Sequence, residues 1–223
     1  MSSPTTREKA RRLELIAALS IVGLAFFVAT AWLLPLFSEY SLAADYISEL
    51  AIGRYGYVQT VAFFAAGVGS LTLAVGVREA TNSSWGSRLG SVLVGLYGID
   101  AILAGIFPTD EIDPTRRVGS PTSAGAIHIM ASTSAFVFGI AGMFVLSRTF
   151  KRDARWQAFW PLSLVLAFAA LIGFIVAVPS ERPWVRLTHR IFIGTIILWQ
   201  VLVAFRLRSI AKGTSAEEPS RVH

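Results

Sequence analysis

Six apolar runs, each long enough to cross a bilayer, leave this chain of 223 residues little choice of fold. A spanning helix needs about 20 predominantly apolar residues. The runs occupy residues 13–37, 57–77, 86–107, 124–147, 157–178 and 184–207. Hydrocarbon offers the backbone no hydrogen-bond partner, so a segment that crosses it must close its bonds internally as a helix. The expected fold is therefore all-α, a six-helix transmembrane bundle. Charged residues make up 15% of the chain, against about 25% in soluble domains. Too little sequence lies between the runs for a soluble domain. Residues 1–12 read as a basic cytoplasmic segment and 13–208 as the six-span membrane domain. Residues 209–223 read as a polar cytoplasmic tail, expected to be disordered.

Orientation follows from the Lys/Arg bias of short loops. With both termini cytoplasmic, fourteen of the twenty Lys and Arg residues fall on the cytoplasmic side and six on the other. The chain is expected in the cell membrane as a multi-pass protein, N-in and C-in. The same bias accounts for the net charge of +6 without a nucleic-acid partner. The first run exceeds the roughly 7–15 residues of a signal-peptide core, so it reads as a retained span. The absence of cysteine excludes disulfides and thiolate chemistry. Trp32, Trp156, Trp160, Trp184, Tyr40, Tyr46, Tyr55 and Tyr57 lie near span ends, as an interfacial aromatic belt would. The third run carries the small pairs Gly86/Gly90, Ser91/Gly95 and Ala101/Gly105. Small residues four apart let helix backbones approach closely, so this span is expected at the centre of the bundle.

Ionisable groups interrupt the apolar runs, and at membrane depth such groups usually face a bundle interior and mark a functional site. By helix rise, His128 lies about 6 Å, His189 about 7 Å and Asp100 about 10 Å inside the outer face. Gln59 enters the second span at similar depth, and Ser132 follows His128 by one turn on the same face. Arg186, His189 and Arg190 stand at i, i+3 and i+4, predicting one cationic patch. The first outer loop adds Asp45, Ser48 and Glu49, and the second adds Asp110, Glu111 and Asp113. Candidate catalytic groups are thus Asp45, Ser48, Glu49, Asp100, His128 and His189. Candidate binding groups are Arg186, Arg190, Asp110 and Gln59, and candidate metal ligands are His128 and His189. Plainer roles exist for each. His128 could cap a helix or bond across helices, and Arg190 could snorkel to the headgroups. Asp100 is too short and too deep to snorkel, so its plain role is an ion pair with Arg186 or Arg190. Glu111 and Asp113 read as solvated loop charges.

Three segments carry a family resemblance: Asp45-Tyr46-Ile47-Ser48-Glu49-Leu50 after the first span; Gly105-Ile106-Phe107-Pro108-Thr109-Asp110 with Gly125-Ala126-Ile127-His128; and His189-Arg190 with Trp199 downstream. With these the chain resembles the prokaryotic multi-pass membrane family named domain of unknown function 998, over roughly residues 13–207. The resemblance implies a fold and a membrane location, and no activity. Many members have glutamine before the arginine where this chain has His189, so the resemblance implies no catalytic or ligand role for that residue.

Four function classes fit these residues. A lipid- or headgroup-binding accessory protein needs the polar layer only for binding or cohesion. A hydrolase acting on a lipid or amphiphile would use the histidines and carboxylates for acid–base chemistry or zinc, but no H-x-x-x-H or H-E-x-x-H spacing exists. A proton-coupled transporter would use buried Asp, His and Arg, yet the polar layer sits at one end. A haem protein would use His128 and His189 as axial ligands; haem and zinc are not favoured. Membrane lipids and a small amphiphilic ligand are the expected partners; the oligomeric state is left open.

Overall fold

The computed structural model describes residues 5–38, 40–43, 45–110, 121–177 and 185–216. They form six α-helices: α1 (Thr6–Leu33), α2 (Gly56–Ala80), α3 (Trp85–Ile106), α4 (Ser123–Lys151), α5 (Trp160–Ala177) and α6 (Val185–Ala216). All six are long and apolar enough to cross a membrane. Among the described residues there are no strands. The helix ends fall within a few residues of the apolar runs, with three differences.

First, α1 begins at Thr6, where Thr5 and Glu8 form a reciprocal capping box. The basic N-terminal stretch is thus the first turns of the first span. Its Arg12 pairs with Glu79 of α2 at 2.8 Å. Second, α5 starts later than expected. Asp153 buries in the preceding turn and accepts from the Asn82 amide at 2.9 Å and the Arg155 amide at 3.0 Å. Third, α6 runs on to Ala216. Ala211, fully buried, keeps the last turns docked, so the segment from 209 to 216 is helical rather than disordered.

Successive helices pack side by side and α6 closes the ring against α1, while also touching α2 and α4. Large apolar side chains lie on both faces of the helices, and small ones are concentrated on the inner face. Ala10, Ala17, Ala62, Ala66, Gly67 and Ser70 face inward, whereas Leu15, Val22, Val165, Phe168 and Ile172 face outward. Lipid tails are as apolar as leucine, so burying apolar area gains little here, and the close packing that small side chains permit drives association. At the crossing of α2 and α3 the two backbones approach closely from both sides. A Cβ on Gly98 would stand 2.7 Å from the Gly67 carbonyl oxygen, and one on Gly67 would stand 2.6 Å from that of Gly98.

The expectation that α3 is central is not met. Of α6, 56% of its most apolar stretch is buried, against 44% for α3. The glycines of α3 serve two close neighbours, α2 and α4, and small residues on several faces do not require burial on all of them.

The end where α1 begins, here called proximal, is locked by polar bonds. Trp156 is fully buried, stacks on Phe150 at 4.4 Å and donates its indole N–H to the Ala80 carbonyl at 3.0 Å. It is therefore a core residue and not a belt anchor. Arg206 donates to the Arg155 carbonyl at 3.0 Å. Burial alone would raise the Asp153 carboxyl, but the Arg155 guanidinium and the Asn82 and Arg155 amides hold it below the usual carboxylate range. About one turn further in, Trp199 donates to Ser163 at 2.7 Å, and Ser163 shares a 2.7 Å bond with Ser147. This joins α4, α5 and α6.

Candidate functional site

At the opposite, distal end the ring encloses a cavity of about 450 Å³. Its polar groups include Ser48, Asp100, Asp110, His128, Ser132 and His189. Residues from the first loop, the start of the second loop and all six helices thus meet in one place. Asp100, His128 and His189, expected from helix rise at similar depth, all line this cavity.

His128 enters on the second turn of α4. Its Nδ1 donates to the carbonyls of Ala104 at 3.1 Å and Phe107 at 2.8 Å. Both partners are acceptors, so Nδ1 carries the proton. These carbonyls lie in the last turn of α3, where helical partners run out, and the ring ties α4 to that end. Its face meets Phe63 edge-on at 6.2 Å.

Asp100 sits on α3, 9% exposed, beside Ser134, and its Oδ2 has no hydrogen-bond partner. Among the described residues it pairs with no arginine, which corrects the expected ion pair. Arg190 is committed elsewhere: it donates to the Ala31 carbonyl at 2.7 Å and to the Tyr40 hydroxyl. It also lies over the Trp32 ring at 5.7 Å and the Tyr40 ring at 5.4 Å. Tyr40 in turn donates to the Asp45 carbonyl at 2.9 Å. Burial holds the Tyr40 hydroxyl protonated, above the ordinary phenol range, against the pull of the Arg190 charge.

The cationic patch on α6 is likewise divided. His189 lines the cavity, its ring edge-on to Tyr46 at 5.1 Å, Phe136 at 5.4 Å and Phe192 at 5.2 Å, with Nδ1 unpartnered. Arg186 covers the outer side of Tyr46 at 5.0 Å. Arg190 lines a groove of about 460 Å³ between α1 and α6. Adjacent helical positions are about 100° apart, and α6 has neighbours on several sides, so His189 and Arg190 serve different neighbours.

The remaining candidates separate into those that line the cavity and those that shape its rim. Ser48 lines it, from the 3₁₀ turn Ile47–Ala51. Glu49 accepts from the Tyr46 amide at 2.7 Å and caps that turn. Asp45 accepts from the Ser41 amide at 2.7 Å. Asp45 and Glu49 face a separate hollow of about 940 Å³ among the loop residues. Asp110 lines the cavity and also accepts from the Thr122 amide at 2.9 Å and the Thr122 hydroxyl at 2.5 Å, joining the two ends of the second loop. Gln59 is fully buried, with both amide atoms unpartnered. It precedes Phe63 and Ala66 by four and seven residues on the same face of α2. Glu111, Asp113 and Trp184 lie outside the described residues.

Among the described residues no three His, Asp or Glu side chains converge as a metal site. What the sequence reading missed is the aromatic wall, formed by Phe27, Tyr46, Phe63, Tyr97, Phe136 and Phe174. In an apolar span a phenylalanine carries no signal of which way it faces. A signal that could have pointed to this wall is Tyr97, a tyrosine in mid-span that the sequence reading did not single out.

No curated protein and no solved structure matches the chain. Residues 20–206 match the family model described as protein of unknown function (DUF998), and with that match covering most of the six-helix membrane bundle, the chain belongs to the DUF998 family.

Proposed function

We propose that this membrane protein is a binding protein whose distal cavity holds one small amphiphilic ligand. The carrying observation is the cavity itself: about 450 Å³, walled by aromatic and aliphatic side chains, with a few convergent polar groups. Ligand sites have this size and make-up. Binding is favoured over hydrolysis because three of the six groups that would do chemistry, His128, Asp45 and Glu49, have other tasks. His128 Nδ1 holds the end of α3, and Glu49 and Asp45 cap the first loop.

The cell membrane is the proposed location, with both termini cytoplasmic and the cavity on the outer side, on the strength of the Lys/Arg bias. Phe27, Ile47 and Ile193 line both the cavity and the groove between α1 and α6. These side chains form the partition a ligand would cross when it arrives from the bilayer.

The test is native mass spectrometry of detergent-purified wild type and of Ala135→Phe, which puts a ring into the cavity from α4. A bound amphiphile should accompany wild type and be missing from the folded variant. An equal amount on both proteins, or none on wild type even after incubation with alkyl amphiphiles, refutes the reading.

A further inference from the structure

The charges that line the cavity are one-sided. Asp100 and Asp110 contribute carboxylates, and among the described lining residues there is no Lys or Arg. The two arginines of α6, which by spacing alone would have offered an anion site, are turned to Tyr46 and to the α1 groove instead. Asp110 is occupied by Thr122 at the rim. Asp100 is deeper, and its Oδ2 has no partner. A carboxylate out of water without a counter-charge is costly, and a cation placed beside it recovers that cost. The wall of the same cavity includes six aromatic rings: Phe27, Tyr46, Phe63, Tyr97, Phe136 and Phe174. Aromatic faces carry negative potential and attract ammonium groups, most effectively where water is excluded.

From these two observations we infer that the ligand of this cavity bears an ammonium group, seated between the Asp100 carboxylate and the aromatic wall, with its apolar part along the small residues Ala66, Ala101 and Ala104. This rests on the binding reading above and specifies its ligand class. Ser132 and Thr133, also in the lining, supply neutral acceptors for an N–H of a primary amine. A quaternary ammonium would rely on the rings and the carboxylate alone.

The experiment compares chain-matched decyltrimethylammonium, decylamine, decyl sulfate and decyl glucoside, each added to the protein in dodecyl maltoside micelles, with the shift in thermal midpoint read over a concentration series. Wild type should bind the two ammonium compounds at least about tenfold more tightly than the sulfate, a difference near one decade of affinity. Asp100→Asn should bring ammonium and sulfate to within about threefold, while Ala135→Phe should abolish all four responses. Micelle partitioning of one compound is the same for wild type and variants and cancels between proteins, and affinities of different compounds for wild type are compared at their free-monomer concentrations after the partitioning of each is measured. If sulfate or glucoside binds wild type as tightly as the ammonium compounds, or the preference survives Asp100→Asn, the ammonium assignment is wrong while the cavity reading stands. If none of the four binds wild type, or Ala135→Phe changes nothing, the cavity reading falls. Should Asp100→Asn fail to fold, the wild-type preference alone decides. Adding phosphatidylethanolamine to the same micelles separates the sources: competition with decylamine identifies a lipid headgroup amine, and its absence a free cationic amphiphile.

Discussion

Two alanine substitutions on one face-sharing stretch of α3 should move stability in opposite directions. At Gly98 a new Cβ would stand 2.7 Å from the Gly67 carbonyl oxygen and 3.1 Å from both the Leu71 amide nitrogen and its Cγ. Comfortable C···O contacts begin near 3.3 Å, so α2 and α3 must part by about 0.6 Å. Over-packing of this kind costs about 1–3 kcal/mol, and here the obstacle is backbone, which cannot rotate away. At Gly95 the nearest atoms to a new Cβ are Ala74 Cβ at 3.8 Å and Leu71 Cδ2 at 3.9 Å, ordinary contact. Both changes gain the same helix propensity, about 1 kcal/mol, which cancels between them. Gly95→Ala should therefore be more stable than Gly98→Ala by about 1–3 kcal/mol. Reversible unfolding in maltoside micelles titrated with dodecyl sulfate, followed by far-ultraviolet circular dichroism, measures the difference. Gly67→Ala should resemble Gly98→Ala, and the double variant should cost less than the sum, because one separation relieves both clashes. Equal stability of Gly95→Ala and Gly98→Ala, or full additivity of the pair, would refute the backbone-contact account of this crossing. The outcome also bears on ligand binding, since Asp100 and Ala101 follow Gly98 directly on the displaced helix.

Other outcomes follow from the polar bonds. The Asp153 carboxyl lies below its ordinary range in the folded state, so its contribution is complete above the unfolded value of about 3.9 and is lost as pH falls through the lower native value; Asp153→Asn should flatten that acid limb of a stability–pH profile, and an unchanged limb would contradict the assignment. His128→Phe keeps a ring against Phe63 but strands the Ala104 and Phe107 carbonyls; it should cost about 1–3 kcal/mol, checked in the same unfolding assay, and no loss would mean the ring does not anchor α3. Trp199→Phe ends the chain through Ser163 and Ser147; interhelical bonds in membranes average about 0.6 kcal/mol and reach about 1.7, so a loss well above that range would show that the indole does more than bond.

How far the site was legible can be judged residue by residue. Helix rise places Asp100, His128 and His189 in one layer, because 1.5 Å per residue is fixed once the span ends are known; all three line the cavity. The same arithmetic cannot say which way Arg190 points, and spacing grouped it with His189. Pairing of Asp100 with arginine was a reasonable electrostatic expectation, but it assumed that the carboxylate has no better use and that the arginine has no other acceptor. The Ala31 carbonyl near the far end of α1 and the Tyr40 hydroxyl in the first loop supply those acceptors, 159 and 150 positions away from Arg190 in the chain.

The sequence by itself determined that there are six spans and, to within a few residues for most of their ends, where they lie. These are properties of single segments: hydrocarbon thickness fixes length, and the backbone's need for internal bonds fixes helix. Only the tertiary structure decided which helix is central, which side chains share the cavity and which charges remain unpaired. Those depend on the rotation of each helix about its axis. In an apolar chain the inward face is marked by small residues rather than by hydrophobicity, and α3 carries small residues on several faces. The geometry of the Gly67–Gly98 contact and the closure of α6 onto α1 therefore had to be seen, and with them the aromatic wall of the cavity.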